Sequence, residues 1–438
     1  MDMRTFIDRL DPDEIVRIER EVSPVYEVAA LTARLEEKVV IFDDVKGSRF
    51  KIVTNICSTR ERFAEALSCN TKDIHARVAR ATAEPKEPSI EELRANNRSN
   101  TLSILPIVTH FEKDAGAFIT SSIIFARDEE HDRQNASIHR MLYLDDRHMA
   151  VRMVEGRHLH KCYINAKEHG EDLRVSVAIG VHPAVLIASA YQADYATDEL
   201  FIANSLMNDE LKVGYSNGLL VPSHAEIILE GKILKDVHAE EWMVEMLRTY
   251  DYKRKQPVFE LDTVRYRDDA LYHDILAGYR EHRLLMGMPV EAKIYNMVKS
   301  VVPTTKQAVL TDGGCNWLHA VISIKKRLEG EAKNAILAAF VAHPSLKLVI
   351  VVDDDIDAND MEHVEYAIAT RFQADKGLVM ISNAKGSSLD PSSDQEYLLT
   401  AKLGIDATAS LLKDKERFEI AKIPKLDDID VEDYIYKK

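Results

Sequence analysis

The chain has 438 residues, 46% of them hydrophobic, and its 57 Lys and Arg against 73 Asp and Glu give a formal net charge of −16. That length and apolar content imply a large core shared among two or three domains. The acidic balance excludes a surface that gathers polyanions such as nucleic acid, leaving room only for a local basic pocket for a phosphate.

Cys57, Cys69, Cys162 and Cys315 form no CxxC pair, so neither a zinc ribbon nor a disulfide framework is expected, and a reducing cytoplasm fits. The opening MDMRTFIDRLDPDE lacks an apolar run after its charges, and no later window holds the ~18 unbroken apolar residues of a membrane span. From the N-terminus to about residue 100, helix-like FIDRL and RERFAEAL (60–67) alternate with the β-branched runs VVIFDDV (39–45) and FKIVTNI (50–56). EPKEPSIEELRANNRSN (84–100), polar and carrying Pro85 and Pro88, reads as a boundary.

Beyond it come closely spaced strand-like runs: TLSILPIVTHF (101–111), AFITSSIIFA (117–126), HMAVRMV (148–154), RVSVAIGV (174–181), AEIILEGKI (225–233) and PVFELDTVRYR (257–267). Their density predicts a barrel or sandwich over 101–285. From 286 to 438 the pattern alternates again. LHAVISIKK (318–326), KLVIVVDDD (347–355) and GLVMIS (377–382) read as strands, EAKNAILAAFVA (331–342) and DMEHVEYAIATRF (360–372) as helices. This predicts a βαβ unit with a mainly parallel sheet.

Several polar stretches interrupt these elements. QNASIHRML (134–142) sets Asn135, His139 and Arg140 among apolar neighbours, and GRHLHK (156–161) follows. On a strand, His158 and His160 would face one way, as a chelating pair or as a half-exposed edge. VVDDDIDANDMEH (351–363) lacks the glycine and glutamate that an EF-hand loop requires, so it reads as a strand end leading into a helix capped by carboxylates. TDGGCNW (311–317) reads as a turn with a buried thiol. HAEEWMVEM (238–246) reads as a solvated helix start.

In order and spacing, RVSVAIGVHPAVLIASA (174–190), VPSHAEIILEG (221–231), DALYHDILAG (269–278), GGCNWLHAVISIKK (313–326), the 347–372 block and AKLGIDAT (401–408) resemble the UbiD-like decarboxylases. That family uses prenylated FMN to remove CO2 from unsaturated or aromatic acids. The resemblance implies a multidomain α/β fold: an N-terminal α/β domain (1–100), a flavin-reductase-like split β-barrel holding the cofactor (101–285), and a linker helix with a C-terminal α/β oligomerisation domain (286–438). It also implies a homodimer or a trimer of dimers, with a flavin prenyltransferase as cofactor supplier.

Carried over by position, Asn135, His158 and Glu199 would ligate Mn2+ or Mg2+ bridging the cofactor phosphate, with K+ alongside. Lys402 would pair with that phosphate. Arg140 would orient the substrate carboxylate between Glu240 and Glu245, with Glu245 as proton donor. The family's EGPxGE or EGPxGD element is EEWMVE here. The missing Gly-Pro turn implies a reshaped wall and a substrate other than the bacterial ubiquinone precursor.

The compact chain looks like the archaeal members that decarboxylate trans-anhydromevalonate 5-phosphate to isopentenyl phosphate. The alternatives are a 4-hydroxybenzoate-type acid and, from another class, a flavin carrier without turnover. His139, His160 and Lys161 are candidates for holding the substrate phosphate.

Overall fold

The computed structural model describes the chain except for residues 192, 194, 196, 422, 425–428, 430–433 and 436–438. Four sheets organise it. Strands Ile15–Ile18, Val39–Phe42 and Lys51–Thr54 form an N-terminal sheet whose fourth member is Leu271–His273. The chain therefore returns to this sheet only after completing its central region.

The central sheet has nine strands and is antiparallel throughout. Its hydrogen-bonded path runs from Phe118–Ile119 to Arg133–Ile138 without closing, so the predicted barrel is an open one. The spine is a long hairpin of Ile227–Glu241 and Arg254–Tyr266, whose register shifts at Glu230/Gly231 and again between Ile233 and His238. Gly231 is required at the first irregularity: a Cβ there would lie 2.2 Å from the Glu260 carbonyl oxygen. A small sheet of Ser89–Ile90, Lys212–Ser216 and Leu219–Pro222 packs alongside.

Two sequence expectations change here. The run 101–111 is no strand: Pro106 removes a backbone donor in its middle, and it supplies only a 3-10 turn at Leu102–Ile104 and bridges from Val108 and Thr109. The 238–246 stretch is no helix start, because the long strand continues through Glu241.

The C-terminal sheet orders Thr305–Leu310, His319–Ile324, Leu348–Asp353, Leu399–Asp406 and Leu378–Lys385. It is mixed rather than mainly parallel, with parallel pairing in the middle and an antiparallel strand at each edge. Asp360 caps the following helix Met361–Arg371, as expected of the acidic run, and Arg371 pairs with Asp353 and Asp355.

The helix Arg280–Val301 joins the halves. At its start, buried Glu281 accepts the backbone N–H groups of Asn55 and Cys57 at 2.8 and 2.9 Å. Three turns later, Glu291 accepts from Arg60 and from the Leu310 N–H of the C-terminal sheet. Both carboxylates are buried and multiply bonded, which fixes the helix against both sides. Among the described residues no helix is long and apolar enough to cross a membrane.

Candidate active site

A cavity of about 530 Å³ lies between the central sheet and the C-terminal domain. Its floor comes from the strand Arg133–Ile138, where alternation places Asn135 and Ser137 on one face, with His139 next in phase. Asn135 is buried; its Nδ2 donates to Ser137 Oγ at 2.9 Å, while its Oδ1 has no partner. Ser137 Oγ meets His139 Nε2 at 2.8 Å, and His139 Nδ1 donates to the Arg152 carbonyl at 2.8 Å. Burial holds His139 down to about 4, so it is neutral at pH 7. It supplies no positive charge for a phosphate.

His158 is the first residue of the helix His158–Glu168, not part of a strand. Two positions on a helix diverge by about 200°, so His160 leaves the site and its Nδ1 accepts from the Gly156 N–H. Lys161 sits over the Tyr195 ring at 4.7 Å. Glu199 opens the helix Glu199–Leu206, where the positive end of the dipole favours a carboxylate. Its Oε2 accepts the Ala136 N–H at 2.8 Å, and its Oε1 lies 3.6 Å from His158 Nδ1.

An unpartnered buried amide oxygen, a buried carboxylate and an imidazole thus line one cavity, the last two 3.6 Å apart. Oxygen donors with one nitrogen suit a hard divalent ion such as Mn2+ or Mg2+. The orphaned Asn135 Oδ1 fits that donor set, since a buried carbonyl oxygen is rarely left unpaired.

The second cluster centres on Arg140. Its Nε donates to Glu241 Oε1 at 2.5 Å and its Nη2 to Glu241 Oε2 at 3.1 Å, a bidentate pair. Nη1 binds Glu245, and Nη2 also reaches Asp251 at 3.2 Å. Burial works against its charge, but Glu245 and Glu241 outweigh burial and raise its pKa. Burial likewise opposes the Asp251 charge, yet bonding from Arg254 and the charges of Arg140 and Arg254 hold that carboxyl below its usual range. Burial and the neighbouring Arg140 and Arg254 lower the Arg152 pKa; its Nε makes no hydrogen bond and lies 3.7 Å from Asp251 Oδ2.

Glu240, expected beside Arg140, is exposed and pairs across the hairpin with Lys255. Consecutive strand residues face opposite ways, and the register turns Glu241 inward and Glu240 to solvent. Lys402 does not line the cavity either. Its Nζ donates to the Pro344 and Leu346 carbonyls at 2.5 and 2.7 Å within the C-terminal domain.

Sequence reasoning also missed Asp251, Arg152, Arg254 and His282. His282 projects from the joining helix into the cavity, and burial lowers its pKa. Strand alternation extended through Glu241 could have identified that residue; the others carry no local signal. From the C-terminal side, Trp317, Ser345 and the 386–389 loop complete the wall.

One cavity is thus lined by Asn135, His158 and Glu199 and by an arginine bracketed by acids, an arrangement suited to a decarboxylase. The chain matches the 3-octaprenyl-4-hydroxybenzoate carboxy-lyase N-terminal domain over residues 9–82, the Rift-related domain over 81–280 and the C-terminal domain over 283–407. It belongs to the UbiD family of carboxy-lyases.

The anhydromevalonate phosphate decarboxylase of Methanocaldococcus jannaschii is 46% identical over 432 residues, 96% of this chain and 100% of that protein. The enzyme of the same name from Methanothermobacter thermautotrophicus is 43% identical, covering 95% and 99%. The UbiD-class enzyme HmfF from Pelotomaculum thermopropionicum, solved in complex with FMN, superposes with a TM-score of 0.96 at 38% identity, covering 99% of this chain and 100% of that one.

Proposed function

We propose that the chain is a prenylated-FMN-dependent decarboxylase converting trans-anhydromevalonate 5-phosphate to isopentenyl phosphate and CO2. The observation that carries this reading is Arg140 held between Glu241, Glu245 and Asp251 in the cavity that Asn135, His158 and Glu199 also line. Full-length similarity to archaeal enzymes of that name supports the choice of substrate.

Asn135, His158 and Glu199 would hold Mn2+ or Mg2+, with K+ nearby, against the cofactor phosphate. The prenylated flavin, when bound, supplies the electron sink for loss of CO2. The remaining work falls to side chains. Arg140 fixes the acids and offers positive charge to the substrate carboxylate. Glu245 is the proton donor: of the acids on Arg140 it has the most exposed side chain, at 20% against 0% for Glu241 and 7% for Asp251. An arriving carboxylate adds negative charge beside Glu245, which a proton offsets.

Besides Arg140, the cations lining the cavity among the described residues are Arg152, Arg157 and Arg254, and these replace His139, His160 and Lys161 as candidates for the substrate phosphate. A flavin prenyltransferase would supply the cofactor, and the four unpaired cysteines fit a cytoplasmic setting. In the C-terminal domain Leu378 and Met380 of an edge strand, and separately Leu337 and Val341 of the helix Glu331–Ala342, are exposed, apolar residues suited to self-association as a dimer or trimer of dimers.

The test is a decarboxylation assay on trans-anhydromevalonate 5-phosphate with Mn2+ and K+, using protein co-produced with a flavin prenyltransferase and FMN-loaded protein as control. Isopentenyl phosphate should form only with the prenylated cofactor. No product from protein that carries it would sink this substrate and favour a 4-hydroxybenzoate-type acid.

A further inference from the structure

The alternation N-x-S-x-H in QNASIHR leaves Ser137 and His139 without a part in the chemistry above, although both line the cavity. Their hydrogen bonds admit one reading of who donates. The Arg152 carbonyl can only accept, so His139 Nδ1 carries a proton. In the neutral ring Nε2 is then an acceptor, and the Ser137 hydroxyl must donate to it. The Ser137 oxygen is left as an acceptor, which Asn135 Nδ2 satisfies.

The chain of bonds starts from a fixed point. Arg152 N donates to the Arg140 carbonyl at 3.0 Å, and His139 N donates to the Ser122 carbonyl at 3.0 Å, so backbone positions both ends.

An asparagine amide has two orientations of nearly equal shape. With the amide flipped, Oδ1 would face a serine oxygen whose only proton is already given to His139, setting two acceptors together. The relay therefore permits the orientation in which Oδ1 has no protein partner, in the cavity that His158 and Glu199 also line.

We infer that Ser137 and His139 are positioning residues that lock the Asn135 amide so that its oxygen is presented as a ligand to a divalent cation. This rests on the reading of Asn135, His158 and Glu199 as the cation site. It assigns His139 a task different from binding the substrate phosphate, and residues that orient a ligand commonly change metal affinity when removed.

The experiment is a Mn2+ titration of purified FMN-loaded protein, reading free Mn2+ by electron paramagnetic resonance, with thermal melting as the check on folding. Ser137→Ala and His139→Phe should each raise the apparent Mn2+ Kd by about 10-fold or more. Ser137→Thr, which keeps the hydroxyl, should bind like the parent.

Asn135→Asp provides the discriminating background, because its two oxygens are equivalent and orientation no longer matters; there the Ser137→Ala penalty should vanish. An equal penalty in both backgrounds would reduce the relay to a structural role and overturn the inference, as would parent-like Mn2+ affinity in folded Ser137→Ala and His139→Phe proteins. Asn135→Ala separates the layers: if it binds Mn2+ as the parent does, the cation site itself is wrong; if it alone loses affinity, only the relay falls.

Discussion

Glu240 and Glu241 are adjacent, identical in chemistry, and placed on opposite sides of one strand, so exchanging each for glutamine isolates the effect of position. Glu241 is fully buried, and both its oxygens accept from Arg140. Glutamine keeps the shape but removes the charge and sets an NH2 group against a guanidinium N–H. Leaving one partner of a buried ion pair uncompensated costs about 3–5 kcal/mol. Arg140 keeps Glu245 and Asp251, which favours the lower end of that range.

If about 3 kcal/mol is lost from the positioning of Arg140 in the transition state, kcat/KM falls by about 100-fold. Glu240→Gln alters an exposed side chain, and surface changes of that kind stay within about 0.5 kcal/mol. The assay is decarboxylation by both holoenzyme variants, paired with urea unfolding. Impairment by Glu240→Gln with Glu241→Gln spared would refute the inward placement of Glu241 and restore the family spacing as the guide.

Other expectations are independent of that pair. Glu245→Gln should lower kcat by about 10²–10⁴-fold, the contribution of a positioned general acid, while the visible spectrum of the bound flavin is unchanged; loss of flavin from the purified variant would contradict this. Lys402→Met should leave flavin and Mn2+ binding intact but destabilise the C-terminal domain by about 1–3 kcal/mol, because the Pro344 and Leu346 carbonyls lose their donor; weakened cofactor binding would return Lys402 to the site.

Acid should also destabilise the fold. Burial holds His343 at about 4 against an ordinary 6.5, so between those values the unfolded chain binds more protons and stability falls as pH drops, by about 3 kcal/mol from this residue. Urea midpoints between pH 7 and pH 4 should decline, less steeply in His343→Gln, and equal slopes would exclude the assignment.

The fold was legible where burial imposes a period on the sequence. RVSVAIGV and KLVIVVDDD sit in sheets as their apolar runs require, and RERFAEAL carries a helix over Arg60–Ala66 capped by Thr59. Reading failed where a single backbone feature decides the outcome. Pro106 cancels a strand whose side chains otherwise qualify. The irregularity between Ile233 and His238 carries the hairpin on through residues that resemble a helix start. In GRHLHK the histidine spacing suited a strand, but the residues that follow form a helix and separate the pair.

The site shows the same division. Asn135, His158 and Glu199 were named by position, and the structure brings them together because each lies at a fixed point of an element: one on a strand, two as the first residues of helices. The acids around Arg140 were legible only in part, since counting residues from a motif cannot detect a register shift between strands. A count of five points to Glu240, whereas the pairing Glu241↔Arg254 turns Glu241 inward. Arg254, from the far arm of the same hairpin, belongs to the cluster by that pairing, and Asp251 comes from the loop just before it. Arg140 needs acids on several of its nitrogens to remain buried and charged, so its environment is set by the hairpin's register rather than by any short motif. That dependence explains how the Gly-Pro turn can be absent here while an acid-bracketed arginine is retained.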